Sequence, residues 1–227
     1  MIPNVNQTDP VAGLLQVRDR LAAALLRGGR PKGSCELIVV SKTHGTDAIR
    51  QVAQAGQRIF GENRVQEAMQ KFPDLRSEFP DLSLHLIGPL QTNKAREAVE
   101  TFDVIETLDR PKLAQALVGE RNRGLKLPRL LVQVNTGEEP QKAGIAPKDL
   151  NTFLAEVTGP LALKVDGLMC IPPADEAPGP HFTLLAQLAR AHSLPVLSMG
   201  MSGDFETAAS LGATWVRVGS AIFGARA

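Results

Sequence analysis

From Glu36 onward the chain alternates short β-branched runs with helical patterns, and that alternation limits its possible folds more than any other feature. Candidate strands begin near Glu36, Arg58, Ser83, Val104, Arg129, Lys164, Val196 and Trp215. They number about eight and recur every roughly 19–35 residues, the length that a strand, a helix and two loops require. The first lies in "ELIVVSKTH" (residues 36–44), where four consecutive apolar residues read as a strand buried on both faces of a parallel sheet. After it, Thr46 stands as a cap for a helix carrying Ile49, Val52 and Ala53, closed by Gly56. Further helices are expected near Lys112–Glu120, Asp149–Val157, His181–His192 and Glu206–Leu211. The pattern predicts an α/β fold, a (β/α)8 TIM barrel. A doubly wound open sheet is the alternative, because periodicity does not show closure.

At 227 residues, with no linker or low-complexity tract, the chain reads as one domain over residues 1–227, at the short end for such a barrel. Residues 1–30 supply an extra N-terminal helix packed on it. Asp9-Pro10 is a cap followed by proline at the first helical position, and Leu14, Val17, Leu21 and Leu25 form one apolar stripe ending at Gly28-Gly29. Arg18, Asp19 and Arg20 interrupt any signal-peptide core, and no apolar run reaches membrane-spanning length. Twenty-five basic against 24 acidic residues give +1, which points to neither a nucleic-acid nor a membrane surface. Cys35 and Cys170 form no metal-type pair and fit a reducing compartment. The expectation is a soluble, cytoplasmic monomer.

In a barrel of this kind chemistry gathers at the carboxyl ends of the strands. Read in order those ends are Lys42, Glu62-Asn63, Gly88, Asp109, Asn135, Met169-Cys170, Ser202 and Gly219. Ile38, Val40 and Lys42 share a strand face, so an inward face would carry the Lys42 amine to the mouth. Desolvation there favours the neutral amine, the form that attacks a carbonyl; a snorkelling lysine with its head in water is the plainer reading. In "SMGMSGD" and "VRVGSAIFG", after the seventh and eighth strands, Ser202, Gly219 and Ser220 read as a phosphate cradle, or as ordinary helix caps. Arg217 shares a strand face with Gly219. It would donate to a ring nitrogen in the same cavity, or form a salt bridge across the barrel. A lysine for an aldehyde, an arginine for a pyridine nitrogen and a cradle for phosphate together match pyridoxal 5'-phosphate (PLP).

The stretches "VVSKTH", "GENRVQEA", "HLIGPLQTNK", "TLDR", "VQVN", "KAGI", "GLMCIPP", "SMGMSGD" and "VRVGSAIFGAR" follow in that order from about residue 36 to the end. Together they resemble the pyridoxal phosphate homeostasis protein family, which is related to the N-terminal barrel of alanine racemase. The resemblance implies a barrel of the fold type III class of PLP proteins, with PLP held on Lys42 as an internal aldimine. It implies Arg217 at the pyridine nitrogen, Ser202, Gly219 and Ser220 on the phosphate, Asn63 beside the cofactor and Met201 near the phosphate loop. His85, Lys94 and Lys142 belong to family segments without an assigned role. Arg64 stands where tyrosine is commoner, which leaves a local contact in doubt, and Ser220 where threonine is frequent, which keeps the hydroxyl.

PLP does not by itself bring turnover, since the protein must supply the bases. Alanine racemase uses a tyrosine from a second domain; this sequence contains no tyrosine and stops three residues after Gly224. The expected function is therefore buffering and transfer of PLP, with apo PLP-dependent enzymes as recipients and no strong catalysis. A PLP-dependent amino-acid racemase using a base such as His85 is the alternative. A Schiff-base aldolase on a phosphorylated sugar would leave Arg217 idle. His44, His85, His181 and His192 lack metal-ligand spacing, Glu138-Glu139 reads as a solvated pair, and Trp215 as barrel packing.

Overall fold

The computed structural model describes residues 9–224. Eight strands pair in chain order, all parallel: β1 (Glu36–Val40), β2 (Ile59–Glu62), β3 (Ser83–Leu86), β4 (Val104–Leu108), β5 (Arg129–Val134), β6 (Gly167–Cys170), β7 (Val196–Ser198) and β8 (Trp215–Val218). β8 returns to pair with β1, Ile38 opposite Arg217, so the sheet closes into a TIM barrel and the open-sheet alternative falls away. The helices are α1 (Pro10–Arg27), α2 (Thr46–Gln54), α3 (Val65–Glu78), α4 (Ala95–Thr101), α5 (Pro111–Asn122), α6 (Leu150–Thr158), α7 (Pro178–Ala191), α8 (Phe205–Ser210) and α9 (Ser220–Phe223). None of the described helices is long and apolar enough to cross a membrane.

Strand alternation separates two apolar layers. Ile38, Val104, Leu131, Met169, Val196 and Trp215 point inward and fill the barrel interior. Their neighbours Leu37, Val39, Ile105, Val132, Leu168, Leu197 and Val216 point outward and pack under the helices. Trp215 thus serves the packing role expected of it. Its indole N–H donates to Glu36 at 2.9 Å, and Arg129 lies over its ring.

Helix α1 forms as its sequence predicts. Asp9 accepts from Val11 N–H at 2.9 Å, Pro10 opens the helix, and Leu14, Val17, Leu21 and Leu25 are buried. It lies against α2, α8 and α9, where Gly13 meets the Ile222 backbone so closely that a Cβ would stand 2.9 Å from Ile222 Cα. Arg20 ties α1 to α8 with a salt bridge to Glu206 at 3.2 Å and a position over the Phe205 ring. Cys35 and Cys170 are buried free thiols, and burial pushes both up to about 12, well away from reactivity.

Several local expectations are corrected. Gly45, not Thr46, is the α2 N-cap, and Thr46 is the first helical residue. The strand expected at Lys164 starts only at Gly167, after an extended approach anchored by Asp166 N–H to Leu130 C=O. Helices α3 and α4 were not expected: α3 carries Pro73 in its interior and has no side-chain cap, and α4 spans seven residues. Glu139 is not a solvated charge, since it exchanges backbone and side-chain hydrogen bonds with Asn135 and pairs with Lys142 at 2.5 Å.

Replacing a helical glycine by alanine usually stabilises by about 1 kcal/mol, but forcing a methyl into close packing costs about 1–3 kcal/mol. Because the obstacle at Gly13 is backbone, the cost falls at the upper end of that range, and Gly13→Ala is expected to destabilise the fold by a net of up to about 2 kcal/mol. Urea unfolding should show a lower midpoint with an unchanged slope; a higher midpoint would mean that α1 is not seated on α9 as described.

Candidate functional site

At the carboxyl ends of the strands, the loops after β1, β2, β3, β6, β7 and β8 enclose a cavity of about 300 Å³, at the lower end of the range for small-molecule sites. Its lining includes all of Lys42, Asn63, Met201, Ser202, Arg217, Gly219 and Ser220, residues drawn from four separated stretches of sequence. Lys42 follows β1 in a turn, partly buried, on the face begun by the inward Ile38 and by Val40, which also lines the cavity. His44 adds a wall by stacking on Phe223, ring centroids 4.4 Å apart, while Ile87 and Ile171 add apolar sides.

Arg217 is buried to 3% exposure, and a chain of polar groups inside the barrel offsets the cost of its charge. Its NH1 donates to Ser198 Oγ at 2.6 Å and its NH2 to the Cys170 carbonyl at 2.8 Å. Ser198 in turn donates to Glu106 Oε2 at 2.5 Å, and the fully buried Glu106 meets His85 Nδ1 through Oε1 at 2.7 Å. NH1 stands 3.9 Å from Glu106 itself. The guanidinium is thus anchored across the barrel and also lines the cavity. Two of its five N–H donors are engaged by those bonds, which leaves donors for a ligand.

The loop after β7 turns through Gly200 at φ +91°, where a Cβ would strike Ala208 Cβ at 2.5 Å. Asp204 Oδ1 accepts from Met201 N–H at 2.5 Å and locks the loop. Ser202 Oγ accepts from Gly219 N–H at 3.3 Å and so joins the two closing loops. At Gly219 a Cβ would lie 3.0 Å from the Val40 carbonyl, so any side chain there would crowd the junction of β8 with β1. Across the cavity, Asn63 Oδ1 is buried without a hydrogen-bond partner, a state a bound polar ligand would relieve. Met201 is 38% exposed at the rim.

The other candidates lie elsewhere. His85 is a buried histidine bonded to Glu106 with its ring edge against Trp215, and it does not line the cavity. Lys94 pairs with Glu97 at 2.9 Å, and Lys142 with Glu139 and the Pro172 carbonyl. Arg64 is exposed. Among the described residues no group of three or more His, Cys, Asp or Glu could hold a metal ion. Glu106 and Ser198, which orient Arg217, escaped the sequence reading. The only signal for them was inward alternation on β4 and β7, where Ser198 follows Val196 by two residues and Glu106 follows Val104.

Residues 20–227 match the family model described as alanine racemase, N-terminal domain. The chain is 44% identical to the pyridoxal phosphate homeostasis protein of Vibrio cholerae over 91% of its length and 92% of that protein's. The structure of PipY from Synechococcus elongatus with PLP bound superposes with a TM-score of 0.74 at 40% identity, covering 92% of this chain and 100% of PipY. Alanine racemase from Corynebacterium glutamicum shares the fold at a TM-score of 0.68 and 19% identity, with 95% of this chain and 61% of that one covered. The chain belongs to the alanine racemase N-terminal domain family and, within it, to the pyridoxal phosphate homeostasis proteins.

Proposed function

We propose that the cavity at the barrel mouth binds PLP and that the protein buffers this cofactor in the cytoplasm, working as a monomer and passing PLP to apo-enzymes. The observation that carries the reading is that Lys42 and the anchored Arg217 line one cavity closed by Ser202, Gly219 and Ser220. Relatives named for PLP homeostasis and PipY with PLP bound support the same assignment.

When bound, PLP supplies an aldehyde, a pyridine ring and a phosphate dianion, each of which meets a matching group. Lys42 offers the primary amine for the aldehyde. Arg217, permanently charged and donor-only, would donate to the pyridine nitrogen and keep a proton off it. Ser220 and the Ser202–Gly219 junction offer hydroxyl and N–H donors to the phosphate. Helices α8 and α9 span only six and four residues, so these are individual donors rather than the end of a long helix dipole. Asn63 supplies an amide whose Oδ1 is otherwise unpaired, and Met201 covers the rim. Racemisation requires a base on each face of the substrate carbon. His85, the candidate for it, is buried in the polar chain beneath Arg217, bonded through Nδ1 to Glu106, and is not among the residues that line the cavity.

Three measurements test this. Borohydride reduction of the PLP-loaded protein should fix the cofactor on Lys42, as mapped by mass spectrometry, and Lys42→Ala should lose the visible absorbance; an adduct mapped elsewhere in the wild type would overturn the lysine assignment. Arg217→Gln removes a charge-assisted donor worth about 1.5–3 kcal/mol, so PLP affinity by titration should fall by roughly 10- to 100-fold. Incubation with L- and D-amino acids should give no racemisation above that of free PLP, and sustained turnover would favour the enzyme reading.

A further inference from the structure

The segment "GENRVQEAMQK" (residues 61–71) gives the cavity only Asn63, while Glu62, Glu67 and Lys71 face the backbone around Lys42. Thr43, the residue after Lys42, has φ +67°. A β-branched residue rarely adopts that region, because its Cβ crowds the backbone, so such a turn persists only where neighbours impose it. Here each peptide group bounding Lys42 is gripped. On one side the Ser41 carbonyl accepts from Lys71 Nζ at 3.0 Å. On the other, Thr43 N–H donates to Glu67 Oε1 at 2.5 Å.

The two grips are one network. Lys71 also donates to Glu67, one turn earlier on α3, and to Glu62 Oε1 at 3.2 Å. Glu62 is fully buried and accepts from Ser41 Oγ at 2.7 Å. Lys71 is 13% exposed, so these charges interact with little screening by water. Burial works against ionisation of Glu67, yet the bonds from Lys71 and Thr43 hold its carboxyl below the usual range. Burial pushes Glu62 up, against the opposing pull of Ser41 and Lys71.

We propose that Glu67 and Lys71, braced by Glu62, are positioning residues that hold the Ser41–Thr43 turn and thereby aim the Lys42 amine into the cavity. The proposal rests on the reading of that cavity as a PLP site. With both flanking peptide planes fixed, only the side-chain torsions of Lys42 remain to set where its nitrogen lies. Losing either grip lets Thr43 relax toward negative φ, which rotates the peptide and swings the lysine.

The test uses Glu67→Ala, Lys71→Met, Lys71→Arg, Thr43→Gly and the double variant Thr43→Gly/Glu67→Ala. Two readouts are taken: amide hydrogen exchange across Ser41–His44 in the PLP-free protein, and the rate at which the loaded protein releases PLP. Glu67→Ala and Lys71→Met should speed exchange in that segment and raise the release rate about tenfold, the scale of one charge-assisted hydrogen bond. Lys71→Arg should retain most of the wild-type behaviour. Because glycine takes positive φ without strain, Glu67→Ala should cost distinctly less in the Thr43→Gly background. Unchanged exchange, an unchanged release rate or strictly additive effects in the double variant would each overturn the proposal. Should Glu67→Ala not fold, Lys71→Met carries the same comparison. A wild type that takes up no PLP while the exchange results hold would sink the reading of the cavity and leave the grip on Lys42 standing.

Discussion

Pairing of β8 with β1, Ile38 opposite Arg217, is the constraint on which the site depends. Parallel neighbours lie about 4.8 Å apart, and alternation sends Ile38 and Arg217 to the same interior. Lys42 and Arg217 lie near opposite ends of the site's span in sequence, and closure of the barrel brings both to one cavity. An open sheet with the same strands would leave them on opposite edges, and no cavity would contain both. Gly219 permits this closeness, since any larger residue there would press on the Val40 carbonyl.

Closure also creates a difficulty, because it drives a guanidinium and a carboxylate into a barrel interior that is largely apolar. Arg217, Glu106, Ser198 and His85 meet it by satisfying one another in sequence from the cavity floor to Trp215. Breaking one link would leave a buried charge unpaired, which costs more than the pair contributes when intact. The chain is best understood as fixing where the guanidinium points. Stability alone could have been served by aliphatic packing.

How much of this was legible in the sequence follows from the range of each interaction. Strand count, the α1 stripe and the polar strand ends come from local periodicity, and they were readable. The seven cavity residues were assembled from strand ends and from family resemblance, since no single loop carried the signal. What escaped is non-local or locally contradictory. Glu106 and Ser198 are single polar residues in apolar strands, meaningful only once alternation is placed in a closed barrel. Helix α3 was masked by Pro73 and by an N-cap, Arg64, that makes no side-chain bond. Thr43 gives no sequence sign of positive φ, because threonine would ordinarily argue against it.

These features divide the site into a rigid part and a yielding part, a division that suits retention with release better than turnover. The floor is buried and anchored through two bonds of Arg217. In the proposed function an arginine at the ring nitrogen would also keep the ring a weak electron sink, which would favour holding a cofactor over reacting through it. The rim is different in kind. Ser202 reaches Gly219 at a long 3.3 Å, α8 and α9 are too short to act as strong dipoles, and Met201 is substantially exposed. Donors of that sort can exchange a phosphate oxygen for water one bond at a time, so a ligand can leave without disturbing the barrel beneath. In the proposed function retention would then fall chiefly to the lysine at the mouth. The backbone on both sides of Lys42 is accordingly gripped by partly buried charges, while the proposed phosphate side is joined by one long bond.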